Sequence, residues 1–163
     1  MIFSSELRAR AFTLLGDLRA KSWKLATAES CTGGLVAGLF TEIAGSSDVF
    51  ERGFVTYSND AKHEMLGVRQ SLLERHGAVS EEVALAMAQG AIQRSQADIA
   101  IAVTGIAGPG GATETKPIGL VHIAIARKDG AVLHRGFEFG DIGRTEVRLA
   151  TLDAALTLLT ELV

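Results

Sequence analysis

The amino-acid sequence predicts an α/β protein, built as a three-layer α/β/α sandwich around a mixed β-sheet. Segments with strand and helix patterns alternate along most of the chain, which is typical of parallel strands joined by helices. The segment 99–104, Ile-Ala-Ile-Ala-Val-Thr, is almost wholly apolar and predicts a strand buried on both faces. Near the end, Lys128-Asp129-Gly130 separates two apolar segments and predicts a hairpin, which makes part of the sheet antiparallel.

The first half of the chain reads as helix, strand, helix, strand and helix. Ser4 or Ser5 is suited to cap a first helix. Apolar residues then recur at helical spacing at Leu7, Ala11, Leu14, Leu15 and Leu18. The segments that follow are a strand at 23–27, a helix at 35–43, a strand at 54–57 and a helix that starts at Asn59.

The second half begins with Ser80-Glu81-Glu82, which resembles the capped start of an alanine-rich helix ending near Ser95. The buried strand at 99–104 then leads into a loop rich in glycine and proline. Strands at 119–126 and 132–139 form the predicted hairpin, and a long helix covers 144–162. No repeat or linker-like segment interrupts this order, so we expect one domain over residues 1–163.

Composition excludes several classes of protein. The hydrophobic fraction is 47% and the net charge is −3, which suits a soluble domain with no general attraction to nucleic acid. A single cysteine excludes an intrachain disulfide and fits a reducing compartment. No apolar run reaches the roughly 18 residues that span a membrane, and the first residues do not resemble a signal peptide. We expect a cytoplasmic protein without membrane or nucleic-acid partners.

The segment 28–34, Ala-Glu-Ser-Cys-Thr-Gly-Gly, carries the densest chemistry, at a predicted strand-to-helix junction. Free N–H groups at such a junction attract anions and developing oxyanions. Ser30 is the candidate nucleophile and Cys31 its rival. The simpler interpretation is that Ser30 or Thr32 only caps the helix. Two glycines in a first helical turn cost stability, and close approach of a ligand would explain them.

A second segment, 57–62, reads Tyr-Ser-Asn-Asp-Ala-Lys. In the simpler interpretation Lys62 is a solvated helix residue. In the functional one it lies in a dry pocket, which makes it neutral enough to take a proton from Ser30. Tyr57 would then orient the substrate or relay the proton.

The loop after the buried strand, 104–111, is the third candidate, because open α/β sheets bind ligands beyond the carboxyl ends of their strands. Thr104 offers a hydroxyl donor, and Gly105, Gly110 and Gly111 offer exposed N–H groups. Arg144 and Arg148 lie four residues apart on the last helix, where they are either solvated or clamp an anion.

The four histidines show no metal-ligand spacing, and neither a P-loop nor a dinucleotide fingerprint is present. We therefore expect no metal and no cofactor. Glu29 is the carboxylate beside the Ser30 motif, and the sequence assigns it no role.

Taken together, five segments resemble the CinA C-terminal domain family, whose stand-alone members are nicotinamide-nucleotide amidases. They are 28–35, 55–62, 77–84, 104–111 and 116–119, which together span nearly the whole chain in the family's order. The resemblance implies hydrolysis of the carboxamide of nicotinamide mononucleotide to nicotinate mononucleotide and ammonia. It also implies a serine nucleophile at Ser30 and a lysine base at Lys62, with Tyr57 and Thr104 in the pocket.

Backbone N–H groups near Ser30 or in the Thr104–Gly105 turn would stabilise the oxyanion. The remaining glycine-rich backbone would hold ribose and phosphate, so we expect Thr32, Gly33, Gly34, Gly105, Gly110, Gly111 and Arg144 to bind substrate. The resemblance and the apolar last helix also predict a homo-oligomer.

The chain departs from the family at one segment. The family pattern Gly-Asp-Arg becomes Gly140-Asp141-Ile142-Gly143-Arg144, so aspartate no longer precedes the arginine. Full-length family members also carry an N-terminal domain resembling molybdopterin-binding proteins, which we do not expect here. These two differences motivate a second hypothesis, a non-catalytic pyridine-nucleotide-binding or scaffold module. Phosphoryl transfer is a weaker third, because no Walker-type lysine is evident.

Overall fold

A computed structural model of the protein describes residues 2–163 and contains a five-stranded sheet in the order β2-β1-β3-β4-β5. The strands are β1 (Leu25–Glu29), β2 (Phe50–Val55), β3 (Ile99–Gly105), β4 (Leu120–Arg127) and β5 (Val132–Glu138). The helices are α1 (Ser5–Ala20), α2 (Leu35–Thr41), α3 (Asn59–Leu66), α4 (Gln70–His76), α5 (Glu81–Gln93) and α6 (Arg144–Leu162). A short 3₁₀ helix, Ser46–Asp48, precedes β2.

The sheet is mixed, as predicted. Strand β1 pairs in parallel with β2 and β3, whereas β3–β4 and β4–β5 are antiparallel. The Lys128-Asp129-Gly130 turn joins β4 to β5, and Gly130 donates a backbone hydrogen bond of 3.0 Å to Arg127. The carboxyl ends of β1, β2 and β3 therefore meet at one edge of the sheet, which is where the candidate site lies.

The side chains on one face of the sheet are larger than those on the other. Helices cover both faces, which confirms the three-layer sandwich. On β3, the large residues Ile99, Ile101 and Val103 pack in a core with α1, α2 and α6. The intervening Ala100 and Ala102 belong to a second core, formed with α5 and the shorter helices α3 and α4. Small residues on this face let the alanine-rich α5 approach the sheet closely.

Three serines cap helices where the sequence predicted helix starts. The Ser4 hydroxyl accepts a hydrogen bond from Leu7 N at 3.2 Å, which settles the first cap in favour of Ser4 over Ser5. Ser58 caps α3 through Ala61 N at 3.0 Å, and Ser80 caps α5 through Val83 N at 3.3 Å. The hydroxyls satisfy N–H groups that have no partner within the helix.

The largest differences from the prediction concern three elements. Strand β1 begins at Leu25 rather than Trp23, because the N–H of the preceding residue, Lys24, donates to the Asp98 carboxylate at 2.8 Å and not to a strand carbonyl. The edge strand β2 covers Phe50–Val55 rather than 54–57, since its polar start, with an ion pair between Glu51 and Arg52, hid the strand pattern. Helix α4 was not predicted; it is short and has no side-chain cap.

Gly90 in α5 offers a test of this close packing. A Cβ built there would lie 2.1 Å from the backbone oxygen of Leu66, so Gly90→Ala must push α5 and α3 apart. Gly16 in α1 has nothing within 4 Å of the same position.

We expect Gly90→Ala to lower the free energy of unfolding by about 1–3 kcal/mol, the usual cost of overpacking. Gly16→Ala should raise it by up to about 1 kcal/mol through helix propensity. Urea unfolding of both variants checks this, and equal effects would contradict the close α3–α5 contact.

Across residues 2–163, no helix combines the length and apolar character required to cross a bilayer.

Candidate active site

A cavity of about 290 Å³ opens at the carboxyl ends of β1, β2 and β3. All three predicted segments contribute to it. Ser30 and Cys31 follow β1, Tyr57 and Lys62 follow β2, and the loop that leaves β3 forms another wall. Arg144, the first residue of α6, closes one side. The site therefore forms where the topology of parallel strands places ligands.

Ser30 and Lys62 form a direct pair inside this cavity. The Lys62 ammonium nitrogen Nζ lies 3.0 Å from Ser30 Oγ, within hydrogen-bond distance. Lys62 also donates to the backbone oxygens of Thr56 at 2.9 Å and Tyr57 at 3.2 Å. Lys62 is 1% exposed and Ser30 is 8% exposed, so bulk water is largely excluded from the pair.

Burial of Lys62 changes its proton affinity. Desolvation lowers the pKa of this ammonium from its ordinary value of 10.5 to about 8. No carboxylate pairs with Lys62 among the residues that the structure describes. A lysine with this pKa is partly neutral near pH 7 and is able to accept a proton from a hydroxyl in contact with it. Lys62 is thus not the solvated helix residue of the simpler interpretation.

Helix α2 begins at Leu35 and receives its cap from Glu29. The Glu29 carboxylate accepts hydrogen bonds from Val36 N at 2.8 Å and Ala37 N at 3.0 Å. The N-cap position is Gly34, which makes no side-chain cap bond. The interpretation of Ser30 or Thr32 as the cap is therefore wrong, and the Ser30 hydroxyl stays available to Lys62.

Cys31 also lines the cavity but carries a thiol that resists ionisation. Burial raises the pKa of Cys31 to about 11. Helix N-termini lower the pKa of nearby thiols, but for Cys31 desolvation outweighs that effect. At neutral pH it is a small apolar side chain beside Ser30 rather than a thiolate.

Tyr57 and Arg144 join two sides of the cavity mouth. An Arg144 guanidinium nitrogen donates to the Tyr57 hydroxyl at 2.9 Å, and another donates to the backbone oxygen of Gly108 at 2.8 Å. Arg144 reaches the cavity although Asp141 no longer directly precedes it. Arg148 instead donates to the backbone oxygen of Thr32 at 3.1 Å, so the two arginines do not act as one clamp.

The residues at the end of β3 and in the loop after it serve different purposes. The Thr104 hydroxyl donates to the backbone oxygen of Ala78 at 2.8 Å and so holds a second wall segment, 78–79, against the cavity. A Cβ at Gly105 would lie 2.7 Å from Val121 on β4, so this glycine is required for packing within the sheet. At Gly110 nothing lies within 4 Å, and Gly111 has φ +95°. Both line the cavity.

Thr32, Gly33 and Gly34 do not line the cavity. The two glycines precede α2 rather than lying in its first turn, with φ of +58° and +98°. The left-handed backbone that returns the chain into α2 accounts for them without a ligand. Thr32 is fully buried and its hydroxyl has no hydrogen-bond partner. Gly33 N donates to the backbone oxygen of Ser30 at 3.0 Å, so this segment shapes the Ser30 turn without lining the cavity.

Sequence reasoning missed two contributors to the site, which are the wall at residues 78–79 and the helix cap formed by Glu29. Ala78 and Val79 form a wall, although nothing in their side chains signals a site. The capping role of Glu29 was visible only as a carboxylate beside the motif.

Within residues 2–163 no group of three or more histidine, cysteine, aspartate or glutamate side chains is arranged to hold a metal ion.

Known proteins resemble this chain in sequence and in fold. The chain is 53% identical over 148 residues to the nicotinamide-nucleotide amidohydrolase PncC of Enterobacter agglomerans, covering 90% of this chain and 89% of that protein. The crystal structure of the competence/damage inducible protein CihA from Agrobacterium tumefaciens superposes with a TM-score of 0.96 at 54% identity, covering 98% of this chain and 97% of that one.

Other relatives are longer. The chain is 51% identical over 147 residues to a competence-damage inducible protein of Caldicellulosiruptor bescii, but spans only 35% of that protein's length. The model of the CinA C-terminal domain matches residues 8–163, and the chain therefore belongs to the CinA C-terminal domain family.

Proposed function

We propose that this protein is an amidohydrolase that converts nicotinamide mononucleotide to nicotinate mononucleotide and ammonia, with Ser30 as nucleophile and Lys62 as general base. The observation that carries the proposal is the buried pair itself, with Lys62 Nζ 3.0 Å from Ser30 Oγ at the floor of a cavity. The 53% identity to a protein named nicotinamide-nucleotide amidohydrolase supports the substrate.

In the first half-reaction, Ser30 Oγ attacks the carboxamide carbon while neutral Lys62 takes the hydroxyl proton. The resulting tetrahedral intermediate collapses when the carbon–nitrogen bond breaks. Lys62 then gives its proton to the departing nitrogen, which leaves as ammonia. An ester between Ser30 and the nicotinate carbonyl remains.

In the second half-reaction, water attacks this ester and Lys62 takes a proton from the water. The carbon–oxygen bond to Ser30 breaks, Oγ recovers its proton from Lys62, and the acid product loses its own proton to solvent and leaves as the carboxylate. Lys62 acts as base and then as acid in both halves, which suits a pKa of about 8. No step requires a metal or a cofactor.

The oxyanion of the intermediate needs N–H donors that are not already in use. In the turn after β1, the N–H groups of Ser30 and Gly33 already donate backbone hydrogen bonds, and those of Val36 and Ala37 bind Glu29. Cys31 lines the cavity, so we assign its N–H as one donor. We assign the second donor to Ala107 or Gly108, which line the cavity in the loop after β3.

The anionic end of the substrate belongs at Arg144 and at Gly110–Gly111. Glu29 occupies the positive end of α2 with its own negative charge, which disfavours a phosphate there. Arg144 lines the opposite side with donors bound only to a neutral hydroxyl and a carbonyl, and these can exchange for phosphate oxygens. Tyr57 would orient the pyridine nucleotide at the same mouth, and Thr104 would keep the wall in place.

The experiment that tests the function is ammonia release from nicotinamide mononucleotide, followed together with calorimetric binding. Turnover that depends on Ser30 supports the amidase. Tight binding without product over hours would instead favour the non-catalytic pyridine-nucleotide-binding module. Release of ammonia from nicotinamide alone at the same kcat/KM would contradict recognition of the nucleotide.

Arg144→Ala is expected to raise KM for nicotinamide mononucleotide by about 10–100-fold with a smaller change in kcat. Hydrogen bonds to a charged group contribute about 1.5–3 kcal/mol, which corresponds to that range. Nicotinamide riboside, which lacks the phosphate, serves as the matched substrate. Its KM should change little in Arg144→Ala. An equal loss on both substrates would contradict phosphate binding by Arg144.

We further propose that residues 1–163 act as one domain, that the protein works in the cytoplasm and that it forms a homo-oligomer. The single cysteine suits a reducing compartment, and it is free in the structure. Light scattering of the purified protein measures the oligomeric state.

A further inference from the structure

Glu29 is a buried carboxylate that the chemistry of Ser30 and Lys62 does not use directly. It is the last residue of β1, directly before Ser30, and its side chain is 1% exposed. Its two oxygens accept hydrogen bonds from Val36 N at 2.8 Å and Ala37 N at 3.0 Å. Each oxygen has its own donor, a geometry that only a carboxylate satisfies fully.

These bonds fix the far end of the turn that carries Ser30, where α2 begins. At its near end, Ser30 N donates to the backbone oxygen of Val103 on β3 at 3.0 Å. At its far end, Gly34 has no side chain with which to cap α2. The Glu29 carboxylate replaces that cap and ties α2 back to the end of β1. The segment 30–34 is therefore held on both sides.

Glu29 also contacts the structure that supports Lys62. Its backbone oxygen accepts a hydrogen bond from Thr56 N at 2.8 Å. The backbone oxygen of Thr56 in turn accepts one from Lys62 Nζ at 2.9 Å. One residue thus connects the turn of the predicted nucleophile with the carbonyl that holds the predicted base.

We propose that Glu29 is the positioning residue of this site, whose carboxylate keeps Ser30 Oγ within hydrogen-bond distance of Lys62 Nζ. The proposal rests on the proposed roles of Ser30 and Lys62. Glutamine at this position retains one acceptor but turns an NH₂ group toward the second N–H donor, so α2 and the turn must shift. Misplacement of reacting groups by about 1 Å lowers rates by up to about 100-fold.

The test compares Glu29→Gln with Ser4→Ala. We expect Glu29→Gln to lower kcat for ammonia release by about 10–100-fold at an unchanged KM. Ser4→Ala removes the cap of α1, which accepts a single bond from Leu7 at 3.2 Å and does not line the cavity. This control should lose stability through its missing cap and keep the wild-type kcat. Glu29→Asp, which keeps both oxygens on a shorter side chain, is measured if Glu29→Gln does not fold.

A second readout is independent of the amide substrate. A fluorophosphonate probe reacts when Ser30 Oγ attacks phosphorus, fluoride leaves and the hydroxyl proton passes to Lys62. Mass spectrometry gives the rate of labelling at Ser30. We expect Glu29→Gln to slow labelling by the same factor as kcat, and Ser4→Ala to leave it unchanged.

The outcomes separate this proposal from the proposed function. Wild-type labelling and wild-type kcat in Glu29→Gln would overturn the positioning role, as would a higher KM with an unchanged kcat. Labelling of Ser30 without ammonia release by the wild type would overturn the amidase alone, and the labelling rates would then decide on Glu29. A wild type that neither labels at Ser30 nor releases ammonia would overturn both.

Discussion

Ser30→Ala is expected to lower kcat for ammonia release from nicotinamide mononucleotide by about 10³–10⁶-fold, because the variant has no hydroxyl to form the acyl-enzyme. Lys62 keeps its two backbone acceptors at Thr56 and Tyr57, so the site should retain its shape. Calorimetry should show that the nucleotide still binds. A coupled ammonia assay measures the turnover.

Cys31→Ala is the matched control, since it changes the adjacent residue in the same cavity. With a thiol pKa of about 11, only about one molecule in 10⁴ carries a thiolate at pH 7. We expect kcat within a few-fold of wild type. Loss of activity in Cys31→Ala together with activity in Ser30→Ala would instead assign the thiol as nucleophile.

Lys62→Met is expected to lower kcat by about 10²–10⁴-fold, the usual contribution of a positioned general base. Methionine preserves most of the side-chain length without a nitrogen to accept the proton. Lys128→Met, at an exposed lysine of the β4–β5 turn, is the control and should keep wild-type turnover. Equal activity in the two variants would remove Lys62 from the mechanism.

The pH dependence follows from the same residue. Because the proposed base Lys62 would act in its neutral form, kcat/KM of the wild type should rise about tenfold per pH unit from pH 6 to 7. It should level off above the pKa of about 8. A flat profile across this interval would contradict a titrating Lys62.

Stability gives an independent check of this pKa. Lys62 titrates near 8 in the folded protein and near 10.5 when unfolded, so the unfolded chain binds more protons between these values. The free energy of unfolding should therefore rise with pH from about 8 to 10.5, by at most about 1.4 kcal/mol per unit. Denaturant unfolding of the wild type should show this rise, and Lys62→Met should lack it.

Patterns along the chain predicted most of the fold because its elements carry strong local signals. The apolar segment 99–104 and the Lys128-Asp129-Gly130 turn predicted a buried strand and a hairpin, and both were found. Ser80 capped its helix as expected. The signals failed where tertiary contacts decide the structure. The edge strand β2 is polar at its start, and α4 is a single short helix held by packing against α5.

The candidate site was likewise predicted in part from local sequence signals, and tertiary contacts decided the rest. The sequence by itself determined which segments to expect at the candidate site, because hydroxyl, amine and guanidinium groups beside glycines at strand ends are visible in the residue order. The structure brings Ser30, Lys62, Tyr57, Thr104 and Arg144 to one cavity, and it removes Thr32, Gly33 and Gly34 from the cavity lining.

The segment 28–34 shows what only the tertiary structure decided. The sequence could not separate a capping serine from a nucleophile, since both roles need a hydroxyl before a helix. The fold excludes the capping role by giving the cap to Glu29, and it places Lys62 at the Ser30 hydroxyl, as the proposed nucleophile requires. Hydrogen-bond geometry and the burial that lowers the Lys62 pKa arise between residues distant in the chain, so no local pattern encodes them.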